Sequence, residues 1–366
     1  MSRGLVSLVA AVVALGALVA VGLGTLVTSG SGPVPSSPAR AAAEQFLGSY
    51  VDPDGRVVRR DQGGDTVSEG QAYAMLLATA AGQEEVFASV WGWTQDNLLR
   101  PDGLLSWQWR DGEVVDAESA ADADLDAARA LVLAGERFGR EEWSRDGLRL
   151  GRDVLEHETV LTGAGRVLTA GTWVRDAPYE VNPSYASPAA SAVLAKASGD
   201  PRWTELQTGN HQVNQALVKD GQLPPDWAQV QRDGSIEVTG GPGGEPARFG
   251  YDAARIPLRY AESCDPQHRE LAAQLTDELS STTPARAVYD LAGSPQTTDT
   301  HPLADASKAA ALAAAGEHTA AMQALDDADA TLQATPTYYG AAWAALGRVM
   351  LTDDVLGGCP PLEQAA

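Results

Sequence analysis

The stretch Ser68-Glu69-Gly70-Gln71-Ala72-Tyr73-Ala74-Met75 opens an apolar, alanine-rich run with helical spacing. Ser68 is a favourable N-cap, and Glu69 then falls in the first helical turn. An acid at that position complements the helix dipole, which is its ordinary structural role. The stretch therefore predicts a buried helix with a carboxylate at its N-terminal end.

The rest of the chain repeats this helical pattern, whereas convincing strand patterns are scarce. Twelve helices are predicted, near residues 41–48, 69–81, 84–98, 119–138, 142–156, 184–198, 202–218, 252–263, 266–281, 303–315, 317–333 and 337–351. Short connections that contain Gly or Pro join successive helices in pairs, and longer polar segments separate one pair from the next.

This alternation predicts an all-α fold, an (α/α)6 barrel in which six helical hairpins form a closed toroid. If the second helix of each pair returns antiparallel, the first helices all point the same way. Their N-termini, near residues 68, 121, 184, 252, 305 and 337, then share one rim. A small β-hairpin is predicted in a rim loop at Val230–Val238, turning on Asp233-Gly234.

The bulk composition is that of a folded globular protein of 366 residues, and no second domain is evident within residues 41–366. The formal charge of -23, from 49 acids against 26 bases, argues against nucleic acid or anionic lipid as the main partner. The expectation is a monomer with an uncharged or cationic partner.

The N-terminus carries an export signal, because Leu5–Val27 is an uninterrupted apolar run. A signal-peptide core has about 7 to 15 residues and a membrane span about 20, so residues 1–29 fit either a cleaved signal or a retained membrane anchor. Ala39-Arg40-Ala41 is a cleavage candidate. Residues 30–40 are expected to form a flexible tether, and both alternatives place residues 41–366 outside the cytoplasm.

Only two cysteines occur, Cys264 and Cys359. In an exported chain they predict one disulfide, the alternative being two buried free thiols. No Cys/His cluster accompanies them, so neither a metal site nor a cofactor is expected.

Acidic residues stand at three of the predicted helix starts, as Glu69, the Asp122-Ala123-Asp124 pair and Asp252. Hydrolysis of a glycosidic bond with inversion needs a protonated carboxyl for the leaving oxygen and an ionised one, farther away, to activate water. Glu69 would need burial and a like-charged neighbour such as Asp122 to raise its pKa. Asp252 lies one turn before Arg255 and suits the role of the general base, which must stay ionised. Structural alternatives are a helix-start acid for Asp122 and an N-cap for Asp252.

The sequence resembles glycoside hydrolase family 8, of the bacterial cellulase type with an aspartate base. Four segments carry the resemblance: Ser68–Tyr73, Ser119–Leu125, Asn182–Tyr185 and Tyr251–Pro257. The resemblance implies an inverting, endo-acting enzyme on an (α/α)6 barrel. It also implies that Glu69 is the general acid, that Asp252 is the base and that Asp122 holds the sugar at the cleavage site. Ala121 departs from the family pattern, in which Ser or Thr usually precedes the first aspartate, and Ala127 replaces a larger apolar residue.

Aromatic side chains near the rim are expected to stack on pyranose rings. The predicted substrate-binding residues are Trp107, Tyr185, Tyr251, Arg255, Asp124, Trp173 and Tyr338. Four further tryptophans are expected in the core, namely Trp91, Trp143, Trp203 and Trp343. The five histidines form no obvious sequence cluster with the carboxylates.

The predicted function is a secreted or membrane-tethered endo-β-1,4-glucanase that acts on a cellulose-like polysaccharide and needs no cofactor. One alternative is the same fold acting on xylan, chitosan or mixed-linkage glucan. A non-catalytic glycan-binding protein is another, although the three carboxylates argue against it. Asp122 and Asp124 could also bind a metal in an enzyme for nucleotide sugars, but the sequence has no phosphate loop.

Overall fold

The computed structural model describes residues 37–241 and 243–362. The predicted signal or anchor at residues 1–29 lies outside this range, as does most of the predicted tether. Within the described ranges, no helix combines the length and the apolar character that a membrane span requires. The first helix begins at Pro38, three residues before the predicted start, and the Ser37 side chain accepts a hydrogen bond from the Arg40 N–H (3.2 Å).

Thirteen α-helices are present in the described part of the chain. They are α1 (Pro38–Tyr50), α2 (Ser68–Ala81), α3 (Glu84–Asn97), α4 (Ala121–Phe138), α5 (Glu141–His157), α6 (Pro188–Ser198), α7 (Arg202–Leu217), α8 (Ile256–Ala261), α9 (Pro266–Ala273), α10 (Thr276–Ser280), α11 (Pro302–Ala314), α12 (His318–Ala334) and α13 (Tyr338–Thr352).

The helices form two concentric rings, which confirms the (α/α)6 prediction. The inner ring is α2, α4, α6, α8, α11 and α13, in which each helix contacts the next and α13 contacts α2. The outer helices α3, α5, α7, α9 and α12 each pack on the inner helix that precedes them, and α1 closes the ring between α13 and α2. The inner helix α2 is buried along most of its length, which agrees with its largely apolar composition.

The helices predicted at residues 184–198, 252–263 and 266–281 are each divided into two shorter elements in the structure. The helix predicted at 266–281 is divided into α9 and α10. Short 3₁₀ turns, Pro183–Tyr185 and Ala253–Arg255, precede α6 and α8. Pro188 and Pro257 lie in the first turns of these two helices, where a missing N–H costs no hydrogen bond. Tyr185 and Asp252 consequently lie on turns before the inner helices.

In the described residues, eight short strands form three small sheets around the toroid. They are β1 (Thr66–Val67), β2 (Gln108–Arg110), β3 (Glu113–Asp116), β4 (Thr159–Thr162), β5 (Gly165–Leu168), β6 (Tyr179–Val181), β7 (Trp227–Val230) and β8 (Ile236–Thr239). The predicted hairpin is present as β7 and β8, with Gly234 at φ +87° in the turn. The other strands have two to four residues, too few for an alternating pattern to be visible in the sequence.

The core and the C-terminal segment complete the fold. Trp91, Trp143, Trp203 and Trp343 are buried, as predicted. The structure pairs Cys264 with Cys359, with the Cα atoms 4.9 Å apart, and so attaches the segment after α13 to the end of α8 across 95 residues of sequence.

Candidate active site

A cavity of about 440 Å³ lies at the rim formed by the starts of the inner helices. Six of the predicted site residues line it, and four of these, Glu69, Tyr185, Asp252 and Tyr338, come from four different inner helices or the turns before them. Tyr251 and Arg255 line the same cavity. The ring architecture thus brings together residues up to 269 positions apart in the sequence, the separation of Glu69 from Tyr338.

Glu69 is half-buried in the first turn of α2. Burial, followed by the negative charge of Asp122, raises its pKa to about 7. The Trp107 indole Nε1–H donates a hydrogen bond to Glu69 Oε1 (3.2 Å), which opposes part of this increase by favouring the ionised form. A carboxyl group with this pKa is protonated in a large fraction of molecules near neutral pH, as a general acid must be.

Arg255 joins the other two carboxylates of the site. Its Nη1 donates to Asp122 Oδ2 (2.7 Å), and its Nη2 donates to Asp252 Oδ1 (2.6 Å). Asp122 is buried, and burial raises its pKa even though Arg255 is in contact with it. The side chain of Asp252 is 34% exposed. Within residues 37–241 and 243–362, Asp252 Oδ2 accepts no hydrogen bond, so this oxygen is available to a water molecule in the cavity.

The contact between Asp122 and Arg255 is the uppermost of three buried ion pairs that cross the centre of the barrel. The charged residues are spaced i, i+4 and i+7 on α4, and the same spacing recurs from Arg255 to the end of α8. We call the set the ion-pair ladder; its rungs are Asp122–Arg255, Asp126–Arg259 and Arg129–Glu262, each joining residues 133 positions apart.

Aromatic rings surround the carboxylates. The Arg255 guanidinium lies 5.3 Å from the centre of the Tyr185 ring, and Tyr185 is almost fully buried. Tyr251 is 41% exposed and lines the cavity. Tyr338 also lines the cavity, although only 2% of its surface is exposed. Of these three rings, Tyr251 is the best placed to stack on a sugar.

The prediction that Asp124 contacts the substrate is wrong. It has no exposed surface, and its Oδ1 accepts a hydrogen bond from the Leu105 N–H (2.8 Å), so it holds the loop before β2. Residues i and i+2 of a helix point in nearly opposite directions, which separates Asp124 from Asp122. Their side chains have different partners, and this removes the support for a shared metal site.

The two remaining tryptophan predictions have different outcomes. Trp107 reaches the site through its hydrogen bond to Glu69. Trp173 is partly buried and packs against the main core, and it does not line the cavity. A sugar contact by Trp173 therefore stays a prediction.

Sequence reasoning missed three residues that shape the site. Tyr73 lies one turn after Glu69, and its hydroxyl is 3.3 Å from Arg255 Nη1; the i, i+4 spacing was a usable signal. Asp226 accepts hydrogen bonds from the N–H groups of Gly250 and Ala253 (both 2.9 Å), which fixes the loop that carries Asp252. His301 lines the same cavity as Glu69 and Asp252, although no clustering in the sequence indicates this.

A ring of helical hairpins with carboxylates and aromatic rings at one rim is an arrangement suited to polysaccharide hydrolysis. The chain matches the family model described as glycosyl hydrolases family 8 over residues 10–353. It belongs to that family and is a glycoside hydrolase.

Individual relatives agree with this assignment. A "Probable endoglucanase" from Novacetimonas hansenii is 35% identical over 248 residues, which cover 65% of this chain and 72% of the relative. An endoglucanase from Cellulomonas uda is 32% identical over 267 residues, covering 70% and 72%. Among solved structures, an endo-β-1,4-glucanase from Acetobacter xylinum is 29% identical with a TM-score of 0.71, over 85% of this chain and 97% of that one.

Proposed function

We propose that this chain is an inverting endo-β-1,4-glucanase in which Glu69 is the general acid, Asp252 is the general base and Asp122 holds the sugar at the cleaved bond. The observation that carries the proposal is the contrast between the two carboxyl groups of one cavity. The pKa of Glu69 is raised to about 7, whereas Asp252 is in contact with the guanidinium of Arg255. Such a contrast in environment separates an acid from a base.

In the proposed reaction, the Glu69 carboxyl donates its proton to the glycosidic oxygen as the bond to the anomeric carbon breaks. Asp252 accepts a proton from a water molecule that attacks the anomeric carbon from the opposite face. Because one displacement occurs, the β-linkage yields an α-anomer. The positive charge of Arg255 stabilises the Asp252 carboxylate while its second oxygen contacts the water.

The β-1,4-glucan substrate is supported by the relatives. The two sequence relatives and the structural relative described above are all named as endoglucanases. Solved structures named as a β-1,3-1,4-glucanase and as an exo-oligoxylanase are 17% and 18% identical, which shows a common fold only. Xylan, chitosan and mixed-linkage glucan are the alternative substrates to test.

Export of the enzyme is a further part of the proposal. It rests on the apolar run Leu5–Val27 and is supported by the Cys264–Cys359 pair, since disulfides persist in oxidising compartments. N-terminal sequencing of the mature protein distinguishes a cleaved signal from a retained anchor. An intact N-terminus on protein found in the cytoplasm would contradict both.

The central experiment measures reducing-end release from carboxymethylcellulose by the wild type, Glu69→Gln and Asp252→Asn. Loss of a general acid or base is expected to lower kcat by a factor of about 10² to 10⁴. Glu44→Gln, an exposed acid of the outer helix α1, is the matched control and should keep wild-type activity. Full activity in either site variant would remove that residue from its role.

Proton NMR of the first product tests the stereochemistry. Initial appearance of the α-anomer is expected from a single displacement. An initial β-anomer would contradict the arrangement of acid, water and base. A panel of β-1,4-glucan, xylan, chitosan and mixed-linkage glucan identifies the preferred polymer, and binding without turnover of any of them would favour the non-catalytic alternative.

A further inference from the structure

His301 occupies a position that the proposed catalytic mechanism does not use. It precedes α11 as its N-cap residue, in the long connection that follows α10, and it lines the cavity that contains Glu69 and Asp252. The residue is only partly exposed. Its imidazole therefore borders the space that a sugar chain would fill.

The backbone of α11 determines which nitrogen of His301 carries the proton. His301 Nδ1 accepts a hydrogen bond from the Leu303 N–H (3.2 Å), so Nδ1 must be unprotonated. Burial lowers the pKa of His301 to about 4, and the ring is consequently neutral above that pH. The single ring proton of the neutral form is then on Nε2, on the opposite side of the ring from the helix N-terminus.

The orientation of the His301 ring is held by two tyrosines. The ring packs edge-to-face on Tyr251, with the centroids 5.0 Å apart, and lies 6.0 Å from the ring of Tyr339. Tyr339 also donates a hydrogen bond to the Tyr251 carbonyl oxygen (2.9 Å). These contacts make one rigid unit of the cap, the imidazole and the exposed Tyr251 ring.

The Nε2–H group of His301 donates no hydrogen bond to any residue in the ranges 37–241 and 243–362. A polar donor that borders a cavity beside an apolar stacking surface is the usual way in which a protein fixes the orientation of a bound ligand. The Tyr251 ring can hold a pyranose by its face, but it cannot distinguish one rotation of the sugar about the ring normal from another. A hydrogen bond from a fixed direction distinguishes these rotations.

We propose that His301 is a substrate-binding residue that selects the orientation of one sugar unit, with Nε2–H donating to a hydroxyl group of the pyranose stacked on Tyr251. This inference rests on the proposed function, since it assumes a β-linked sugar chain in the cavity. His301 takes no proton from the reacting atoms, and its contribution is to binding and to the choice of sugar.

Two variants separate the binding role from the capping role. Asn at position 301 keeps a short acceptor for the Leu303 N–H and is a favourable N-cap, but it does not reach the position of Nε2. Gln at position 301 carries an N–H donor to about the distance of Nε2 and is a poorer cap. The measurements are kcat and KM on cellohexaose, together with the melting temperature of each variant.

We expect His301→Asn to raise KM about threefold to tenfold, the value of one hydrogen bond, with kcat within about twofold of the wild type and an unchanged melting temperature. His301→Gln should have a KM close to that of the wild type and a lower melting temperature. Wild-type KM in His301→Asn would overturn the proposal. A KM that follows the melting temperature in both variants would also overturn it, since that outcome indicates a structural role alone.

Calorimetric titration separates this inference from the proposed function. Cellohexaose is titrated into Glu69→Gln with and without His301→Asn, and the second protein should bind about threefold to tenfold more weakly. Because this measurement needs no turnover, a wild type that binds cellohexaose without hydrolysing it would contradict the proposed function and leave the His301 assignment intact. Equal affinities of the two proteins would contradict the His301 assignment alone.

Discussion

The three rungs of the ion-pair ladder have the same chemistry but different surroundings. In the second rung, the two terminal nitrogens of Arg259 donate to both oxygens of Asp126 (2.9 and 2.7 Å), and both residues are buried. In the uppermost rung, the corresponding nitrogens of Arg255 are divided between Asp122 and Asp252. Asp252 is 34% exposed to the cavity.

The difference shows how one structural device supports both stability and catalysis. A guanidinium that binds one carboxylate with both nitrogens leaves few lone pairs for water or substrate. Division of the same donors between two acids leaves one oxygen of each acid free of Arg255. Asp122 Oδ1 accepts the Ala123 N–H (3.0 Å), and the partly exposed side chain of Asp252 lines the cavity. The lower rungs are therefore expected to affect folding, and the uppermost rung to affect the reaction.

The largest expected effect on folding is that of Arg259→Met, which leaves Asp126 buried without its partner. Such a change costs about 3 to 5 kcal/mol of the free energy of unfolding. The double variant Asp126→Leu/Arg259→Met should recover most of this loss, because neither charge then remains buried. Urea unfolding of the disulfide-bonded protein measures both.

The matched control for this prediction is Arg40→Met. Arg40 forms an exposed pair with Glu44 on α1, with side chains 52% and 36% exposed, and its loss should cost at most about 1 kcal/mol. If Arg259→Met were no more destabilising than Arg40→Met, the lower rung would have no special structural role.

Arg255→Met is expected to change activity more than stability. Its removal leaves Asp122 and Asp252 without the charge that organises them, and loss of one such electrostatic contact lowers kcat by a factor of about 10² to 10³. Water from the cavity can solvate Asp252, and Asp122, whose pKa is already raised by burial, can take up a proton when Arg255 is removed. The free energy of unfolding should therefore fall by less than in Arg259→Met. Both quantities are measured on the same samples; a stability loss that equals or exceeds that of Arg259→Met would remove the distinction between the rungs.

The smallest expected effect concerns the pH dependence. Glu69 must be protonated to act as the acid, and its pKa is about 7, so activity should be present below pH 7 and fall as the pH rises through that value. Trp107→Phe removes the N–H donor that favours the ionised form of Glu69. The pKa of Glu69 should then rise, and the alkaline limb of kcat/KM should move to higher pH by up to about one unit.

Trp109→Phe is the control for the pH experiment. Trp109 lies on β2, two residues after Trp107, but it packs against Trp93 and beneath Arg56 and makes no hydrogen bond to Glu69. Its pH profile should match the wild type. A shift to lower pH in Trp107→Phe would contradict the assignment of the alkaline limb to Glu69.

The ion-pair ladder was not predicted from the sequence, although the spacing of its charged residues was a usable signal. Charged residues at i, i+4 and i+7 in two inner helices lie on one helical face each, and a buried face with charges needs a partner of opposite charge. What the sequence did not contain was the pairing of α4 with α8 rather than with another inner helix. The hydrogen bonds of the three rungs show that pairing, which joins two inner helices that are not neighbours in the ring.

The misassignment of Asp124 and the omission of His301 have different causes. The i, i+2 separation of Asp122 and Asp124 is incompatible with a common direction on a helix, so this error was avoidable. His301 had no local signal. It lies in an irregular connection, and only the packing of Tyr251 and Tyr339 against its ring places it beside the carboxylates.

The sequence by itself determined the helical pairs, their order, the acid at the start of α2 and the cysteines available for a disulfide, because these features depend on local periodicity, helix termination and residue type. The tertiary structure decided the pKa of Glu69, the division of Arg255 between two acids and the place of His301. These properties depend on distances and burial across the ring, and no local pattern of residues contains that information.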